Sequence, residues 1–143
     1  MLIAGEWIDA EDGSTSDVLN PATGEVIATT PKATIGDVEQ CVAASRAALN
    51  SKDWAAMDPA QRGRILQKMA AATYANAKSL AAIESSNNGK TFREALSEIR
   101  YGAWTLEYFA GLSDKIEGST IPVPGNRLNY TLRQPLGVTA HIV

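Results

Sequence analysis

The spacing of apolar residues changes twice along this chain, and that change limits the possible folds more than any single motif. From Thr34 to about Gly111 the apolar residues recur at the three- and four-residue intervals of a helix surface, and beyond Gly118 the period falls to two. Starts and stops are legible inside the helical stretch. Thr34 and Asp37 have the spacing of a capping box, and Ile35, Val38, Val42 and Leu49 follow at near-helical spacing, so a helix should run to about Leu49. Ser51-Lys52-Asp53 breaks it. Asp58-Pro59-Ala60-Gln61 restarts it with a capping residue, a proline at the first helical position and a glutamine three beyond the cap. Ile65, Leu66, Met69, Ala72, Leu80 and Ile83 then line one face, with a break near Asn76-Ala77 and a stop at Asn87-Asn88-Gly89. Thr91 with Glu94 caps a further helix. Its apolar set is Phe92, Leu96, Ile99, Ala103, Leu106 and Ala110, with Trp104 and Tyr108 on an adjoining stripe and Gly111 weakening its end.

Both flanks of the helical stretch read as strands. Leu2, Ile3, Trp7 and Ile8 gather around Gly5, and Val26-Ile27 is followed by Thr29-Thr30. Between them, Asn20-Pro21-Ala22-Thr23-Gly24 predicts a turn, because Pro21 pushes Asn20 toward an extended conformation and Gly24 can take a positive φ. After Gly118, Leu128, Tyr130 and Leu132 alternate with Asn129, Thr131 and Arg133, the pattern of a strand with one apolar face. Pro135-Leu136-Gly137 punctuates it, and Val138 to Val143 predicts another, more apolar strand. The expectation is an α/β assembly of strands and helices.

At 143 residues the chain is one domain or part of a larger one, since domains usually hold about 100–200 residues. With 45% hydrophobic and 20% charged residues it can bury a core. Its formal charge of −3 provides no net attraction to phosphate backbones or anionic lipid, so nucleic acid and membrane surfaces are excluded as first expectations. No apolar run approaches the roughly 18–20 residues of a membrane helix, and no basic residue precedes Lys32, so a secretory leader is not expected and the cytoplasm is. Glu6, Asp9, Glu11, Asp12, Asp17 and Glu25 read as a solvated acidic edge.

Residues able to carry chemistry are few. Cys41 is the only cysteine and His141 the only histidine, which excludes a disulfide within the chain and a Cys/His metal centre. Cys41 falls in mid-helix and reads as a small core or half-buried packing residue, and His141 in a terminal strand reads as structural. Glu94 and Glu98 lie one turn apart but are flanked by Arg93 and Arg100, the pattern of a solvated, partly compensated face. The glycines at 111, 118, 125 and 137 are too widely spaced for a phosphate loop or a dinucleotide fingerprint. Trp104, Tyr108 and Phe109 suit either the wall of an apolar pocket or the core. The residues alone give no self-contained active site.

Several short motifs, taken in order, carry a family resemblance: Asn20-Pro21-Ala22-Thr23-Gly24-Glu25-Val26-Ile27, Trp54 with Arg62-Gly63-Arg64-Ile65-Leu66, Asn88-Gly89-Lys90, Tyr108-Phe109-Ala110-Gly111, and Gln134-Pro135-Leu136-Gly137-Val138. Together they resemble the N-terminal portion of the NAD(P)-dependent aldehyde dehydrogenase superfamily, over essentially the whole chain. The resemblance implies an incomplete subunit. In the family a cysteine thiolate attacks the aldehyde, hydride passes to the nicotinamide of NAD or NADP, a glutamate activates water to release the acid, and an asparagine helps to hold the oxyanion. The chain ends where that asparagine's Pro-Trp-Asn motif would begin. Nucleophile, base and oxyanion asparagine are therefore absent, Cys41 does not match the nucleophile's motif, and the chain by itself should be inactive.

The same resemblance implies three units. Residues 1–118 would form the N-terminal strands and helical part of the nucleotide-binding domain, 119–137 the oligomerisation strand segment, and 138–143 a truncated first strand of the nucleotide-binding sheet. Ile142 and Val143 would border the adenosine side of the cofactor, in keeping with ligand binding at the carboxyl ends of strands in open sheets. Tyr101 and Trp104 would line the aldehyde tunnel, and the strand from Leu128 to Arg133 would pair across subunits into a homo-oligomer. Relatives bind a monovalent cation through backbone carbonyls at the positions of Val18 and Leu19, aided by an acidic residue where this chain has Asn87. The amide carries no charge, so no metal site is expected. The alternative from another class is a stand-alone, non-catalytic interaction module that pairs through the strand edges at Leu128 to Arg133 and Val138 to Val143.

Overall fold

The structure, a computed structural model, describes residues 1–142. Two small antiparallel hairpins come first. Strands β1 (Leu2–Ile3) and β2 (Glu6–Trp7) pair Leu2 with Trp7 and Ile3 with Glu6, which leaves Ala4-Gly5 as a two-residue turn. Strands β3 (Thr15–Leu19) and β4 (Val26–Pro31) pair from Thr15 with Pro31 to Leu19 with Val26, with a bulge between Val18 and Leu19. β3 is not legible in the apolar pattern, because Thr15-Ser16-Asp17 carries no alternation and its ladder to β4 alone makes it a strand. The Asn20–Gly24 turn forms as expected: Gly24 N–H donates to Asn20 O at 2.7 Å, Ala22 N–H to Asn20 Oδ1 at 2.9 Å, and Gly24 takes φ 75°.

Five helices follow. α1 (Ile35–Asn50) opens on the Thr34/Asp37 capping box, and α3 (Pro59–Ala75) opens on the Asp58/Gln61 capping box with Pro59 in its first turn. Between them Ser51-Lys52-Asp53 does more than break the chain: Ser51 caps a single turn, α2 (Lys52–Ala55). Asn76 separates α3 from α4 (Ala77–Asn88), which ends on Gly89 at φ 81°. Thr91 accepts from Glu94 N–H to start α5 (Phe92–Leu112).

The helices pack through small residues. α5 lies against both α3 and α4, and the buried seam is Gly63 and Ala70 on α3, Ala77 and Ala81 on α4, and Ala95, Ala103 and Ala110 on α5. This corrects the expected core face. Ile65, Met69, Leu80 and Ile83 stay exposed, Ile83 by 64%, and Phe92 is exposed on α5. Periodicity locates an apolar stripe but not which of two adjoining stripes meets the neighbour, and alanines let the backbones approach more closely than leucines do. A Cβ on Gly63 would lie 2.7 Å from the carbonyl oxygen of Ala110, which measures how close α3 and α5 are. Cys41 also departs from expectation. It is exposed on α1, where with Ala44, Ser45 and Ala48 it borders a small cleft shared with Leu2 and Ile3.

Beyond α5 the pairing is sparse. Thr120 bridges Tyr130, Ile121 N–H donates to Asn129 O at 2.8 Å, and Thr131 N–H donates to Ser119 O at 2.9 Å. Among the described residues the expected strand over Leu128 to Arg133 has this one bridge and no longer ladder, and residues 138–142 form none. An alternating pattern marks a chain suited to a sheet, while a strand needs a neighbour to satisfy its N–H and C=O groups.

Candidate functional site

The motif residues acquire physical roles once placed. Arg62, in the first turns of α3, reaches back to α2: its Nη2 donates to Trp54 O at 3.0 Å, and its guanidinium carbon sits 5.3 Å from the centroid of the Trp54 ring. A hydrogen bond and a cation–π contact thereby join two helices whose intervening turn has little other packing. Gly63, the next residue, is the close-approach point against α5.

Asn88-Gly89-Lys90 builds the corner between α4 and α5. Gly89 closes α4 in the left-handed region, and a Cβ there would fall 2.9 Å from Pro21 Cγ, so the β3–β4 turn rests on this corner. Lys90 Nζ lies 2.5 Å from Glu98 Oε2 on α5 and 3.3 Å from Glu84 Oε1 on α4. The hydrogen bond to Glu98 is the main cause that raises the lysine pKa, so the ammonium stays charged as a clamp between the helices. The motif was visible in sequence. That its lysine pairs with both helices was not, because Glu84 and Glu98 lie six and eight residues away on separate elements.

α5 carries the aromatic stripe. Tyr101, Trp104 and Tyr108 recur at helical spacing and meet in sequence: the first two rings are tilted, 5.5 Å apart at 31°, and the next two are stacked, 5.9 Å apart at 30°. Phe109 meets Tyr108 edge-on, at 5.4 Å and 85°. None of the three residues that suited either core or pocket wall is buried within this chain: Trp104 is 50%, Tyr108 54% and Phe109 54% exposed, Tyr101 is 67% exposed, and the buried side of α5 is its alanine seam. The two residues expected along the aldehyde path are thus brought together. A cleft of about 850 Å³ lies at the other end of α5, bordered by Asp58, Arg62, Asp114, Leu132 and Arg133, and it contains neither.

The remaining expected site residues do not assemble. Ile142 is fully exposed, so it packs against nothing in this chain, and Val143 lies outside the described residues. Asn87 is exposed, and among the described residues no group of three or more His, Cys, Asp or Glu side chains could hold a metal ion. His141 is exposed, with a 3.4 Å contact from Nε2 to Thr139 Oγ1. No helix among the described residues is long and apolar enough to cross a membrane.

Comparison with known proteins agrees with the order of these motifs. The sequence profile of the aldehyde dehydrogenase family matches residues 7–143. Hydroxyisobutyraldehyde dehydrogenase of Mycolicibacterium austroafricanum is 40% identical over all of this chain and 28% of its own length. An aldehyde dehydrogenase of Bacillus cereus, solved as a G224D mutant, superposes with a TM-score of 0.87 at 37% identity, over 91% of this chain and 27% of that one. The NAD-dependent aldehyde dehydrogenase of Sinorhizobium meliloti superposes with a TM-score of 0.83 at 39% identity, over 87% of this chain and 25% of that one. The chain spans only 16% to 29% of the lengths of the first curated relatives it matches. With its α/β elements superposing on solved members and its motifs in the family's order, the chain belongs to the aldehyde dehydrogenase family.

Proposed function

We propose that residues 1–143 are the N-terminal segment of an NAD(P)-dependent aldehyde dehydrogenase subunit that oxidises an aldehyde to a carboxylic acid. The observation that carries the reading is the family match over residues 7–143 in a chain that spans about a quarter of its solved relatives. When bound, the dinucleotide supplies the hydride acceptor. The thiolate, the base and the oxyanion asparagine belong to chain that the family places after residue 143.

The part played by this segment follows from its own residues. The Arg62–Trp54 and Lys90–Glu84–Glu98 clamps hold α2 to α5 in one arrangement, and Tyr101 and Trp104, neighbours on α5, would line the aldehyde path of the complete subunit. Ile142 and Val143 would border the adenosine once the rest of the sheet surrounds them. Residues 1–118 belong to the nucleotide-binding domain, 138–143 to its first strand, and 119–137 to the oligomerisation segment, with Leu128 to Arg133 pairing to a second subunit. The proposed compartment is the cytoplasm, where a lone reduced cysteine is at home.

The test is the intact mass of the natural protein in cell extract, together with the reading frame after Val143. A mass several-fold above 15.2 kDa, with Pro-Trp-Asn next in frame, is the expected result. A mass near 15.2 kDa followed by a stop codon would overturn the reading. The isolated 143-residue chain should show no aldehyde-dependent reduction of NAD or NADP, and turnover by a homogeneous preparation would contradict the assignment of the chemistry to later residues.

A further inference from the structure

Asn88 is the only asparagine of the chain that is followed by glycine. The backbone nitrogen after an asparagine can attack the side-chain carbonyl carbon, and glycine, which has no Cβ, hinders that attack least. The α4–α5 corner gathers the groups this step uses. Asn88 is exposed, and its Oδ1 accepts from Lys90 N–H at 2.9 Å, a donor already placed where negative charge would develop. Its Nδ2, the leaving group, donates to Glu84 Oε1 at 2.5 Å, and that oxygen lies 3.3 Å from Lys90 Nζ. The nucleophile alone is withheld. Gly89 N–H donates to Ser85 O at 3.0 Å as the closing bond of α4, and Ser85 Oγ ties the corner further by donating to Lys90 O at 2.7 Å.

We propose that Asn88-Gly89 is a self-modification site, a deamidation gated by the last turn of α4. When the Gly89–Ser85 bond opens, the Gly89 nitrogen gives its proton to solvent and bonds to Asn88 Cγ. The Cγ–Nδ2 bond breaks, and Nδ2 takes a proton from solvent and leaves as ammonia. Water then opens the five-membered succinimide to aspartate or isoaspartate, so one water is consumed, one ammonia is released and nothing is oxidised or reduced. The new carboxylate stands beside Glu84 at the C-terminal end of α4, where negative charge is disfavoured. The isoaspartate form also lengthens the backbone at the glycine that rests on Pro21. The modification therefore loosens the corner irreversibly.

The natural full-length protein, incubated at mildly alkaline pH and digested, tests this by mass spectrometry and isoaspartate assay of the Asn88 peptide. Conversion should be about tenfold or more faster in urea than in buffer, because the folded protein reacts only through its open fraction. Lys90→Met, which removes the pairs to Glu84 and Glu98, should raise the folded rate about two- to fivefold. Ser85→Ala should raise it as well, while Lys115→Met, whose pair with Asp114 lies elsewhere, should leave it unchanged. Equal rates in urea and buffer, or no rise in either corner variant, overturn the gate. Asn88 converting no faster than Asn126 in urea overturns the site.

Discussion

Ala4 holds a backbone conformation that its side chain disfavours. It is the only non-glycine among the described residues with positive φ, at 52°, and with Gly5 at 88° it forms the two-residue turn of the β1–β2 hairpin. Positive φ at both central positions is the turn whose twist matches its strands, and asparagine tolerates the first position far better than alanine. Ala4→Asn should therefore raise stability by about 0.5–1 kcal/mol, read as a higher denaturation midpoint, and an unchanged or lower midpoint would show the turn to be unstrained. Asp37 poses the opposite case, a favourable group that acid can remove. Only 4% exposed, its carboxylate accepts from Thr34 N–H at 2.8 Å, Thr34 Oγ1 at 3.0 Å and Glu11 N–H at 3.2 Å. The Thr34 backbone bond is the chief cause that lowers its pKa below the ordinary aspartate value of 3.8. A depressed pKa in the folded state stabilises above the unfolded value, and that contribution is lost as pH falls through the folded one. Acid titration followed by amide exchange should show the start of α1 and the Glu11 amide opening below pH 3.8, and Asp37→Asn should flatten that dependence.

Among elements, glycines at two helix positions separate packing from propensity. A Cβ on Gly63 would press to 2.7 Å on the Ala110 carbonyl, a backbone atom that cannot rotate away, whereas a Cβ on Gly102 would meet nothing within 4 Å. Gly63→Ala should cost about 1–3 kcal/mol by forcing α3 off α5, while Gly102→Ala should gain about 0.5–1 kcal/mol from helix propensity alone. Equal effects of the two in a denaturant series would show that α3 and α5 do not meet at Gly63. The same contrast explains what could be read in the sequence. Thr34/Asp37, Asp58/Gln61 and Thr91/Glu94 were legible because a cap is settled within four residues. β3 was not, since Asp17 is a strand residue only through its pairing with Thr29. The alanine seam escaped because the larger Ile65, Met69 and Ile83 dominate any apolar count yet stay exposed. Tyr101 and Trp104 could be placed on one helix stripe, but the tilted contact of their rings depends on rotamers that spacing does not determine.

For the whole molecule, surface area is the decisive quantity. A folded monomer of 15.2 kDa is expected to expose about 7,100 Å², yet this chain exposes 11334 Å². Leu128, Leu132 and Leu136 are 70% or more exposed, the aromatic stripe of α5 is open, and none of the fully buried side chains is large. An ordinary dimer contact covers about 800 Å² per partner, so the excess of about 4,200 Å² is roughly five such contacts. One symmetric partner would leave most of it in water. The isolated chain should accordingly form polydisperse assemblies and not a clean dimer, because several unrelated apolar patches each seek cover and no single closed symmetry satisfies them all. Sedimentation velocity at micromolar concentration should show a broad distribution well above 15.2 kDa, with dye binding to exposed apolar surface. A single monomeric boundary with a sharp thermal transition would mean that the segment 113–142 closes over these faces in solution, and the reading of the α5 stripe as a surface awaiting an occupant would then fail with it.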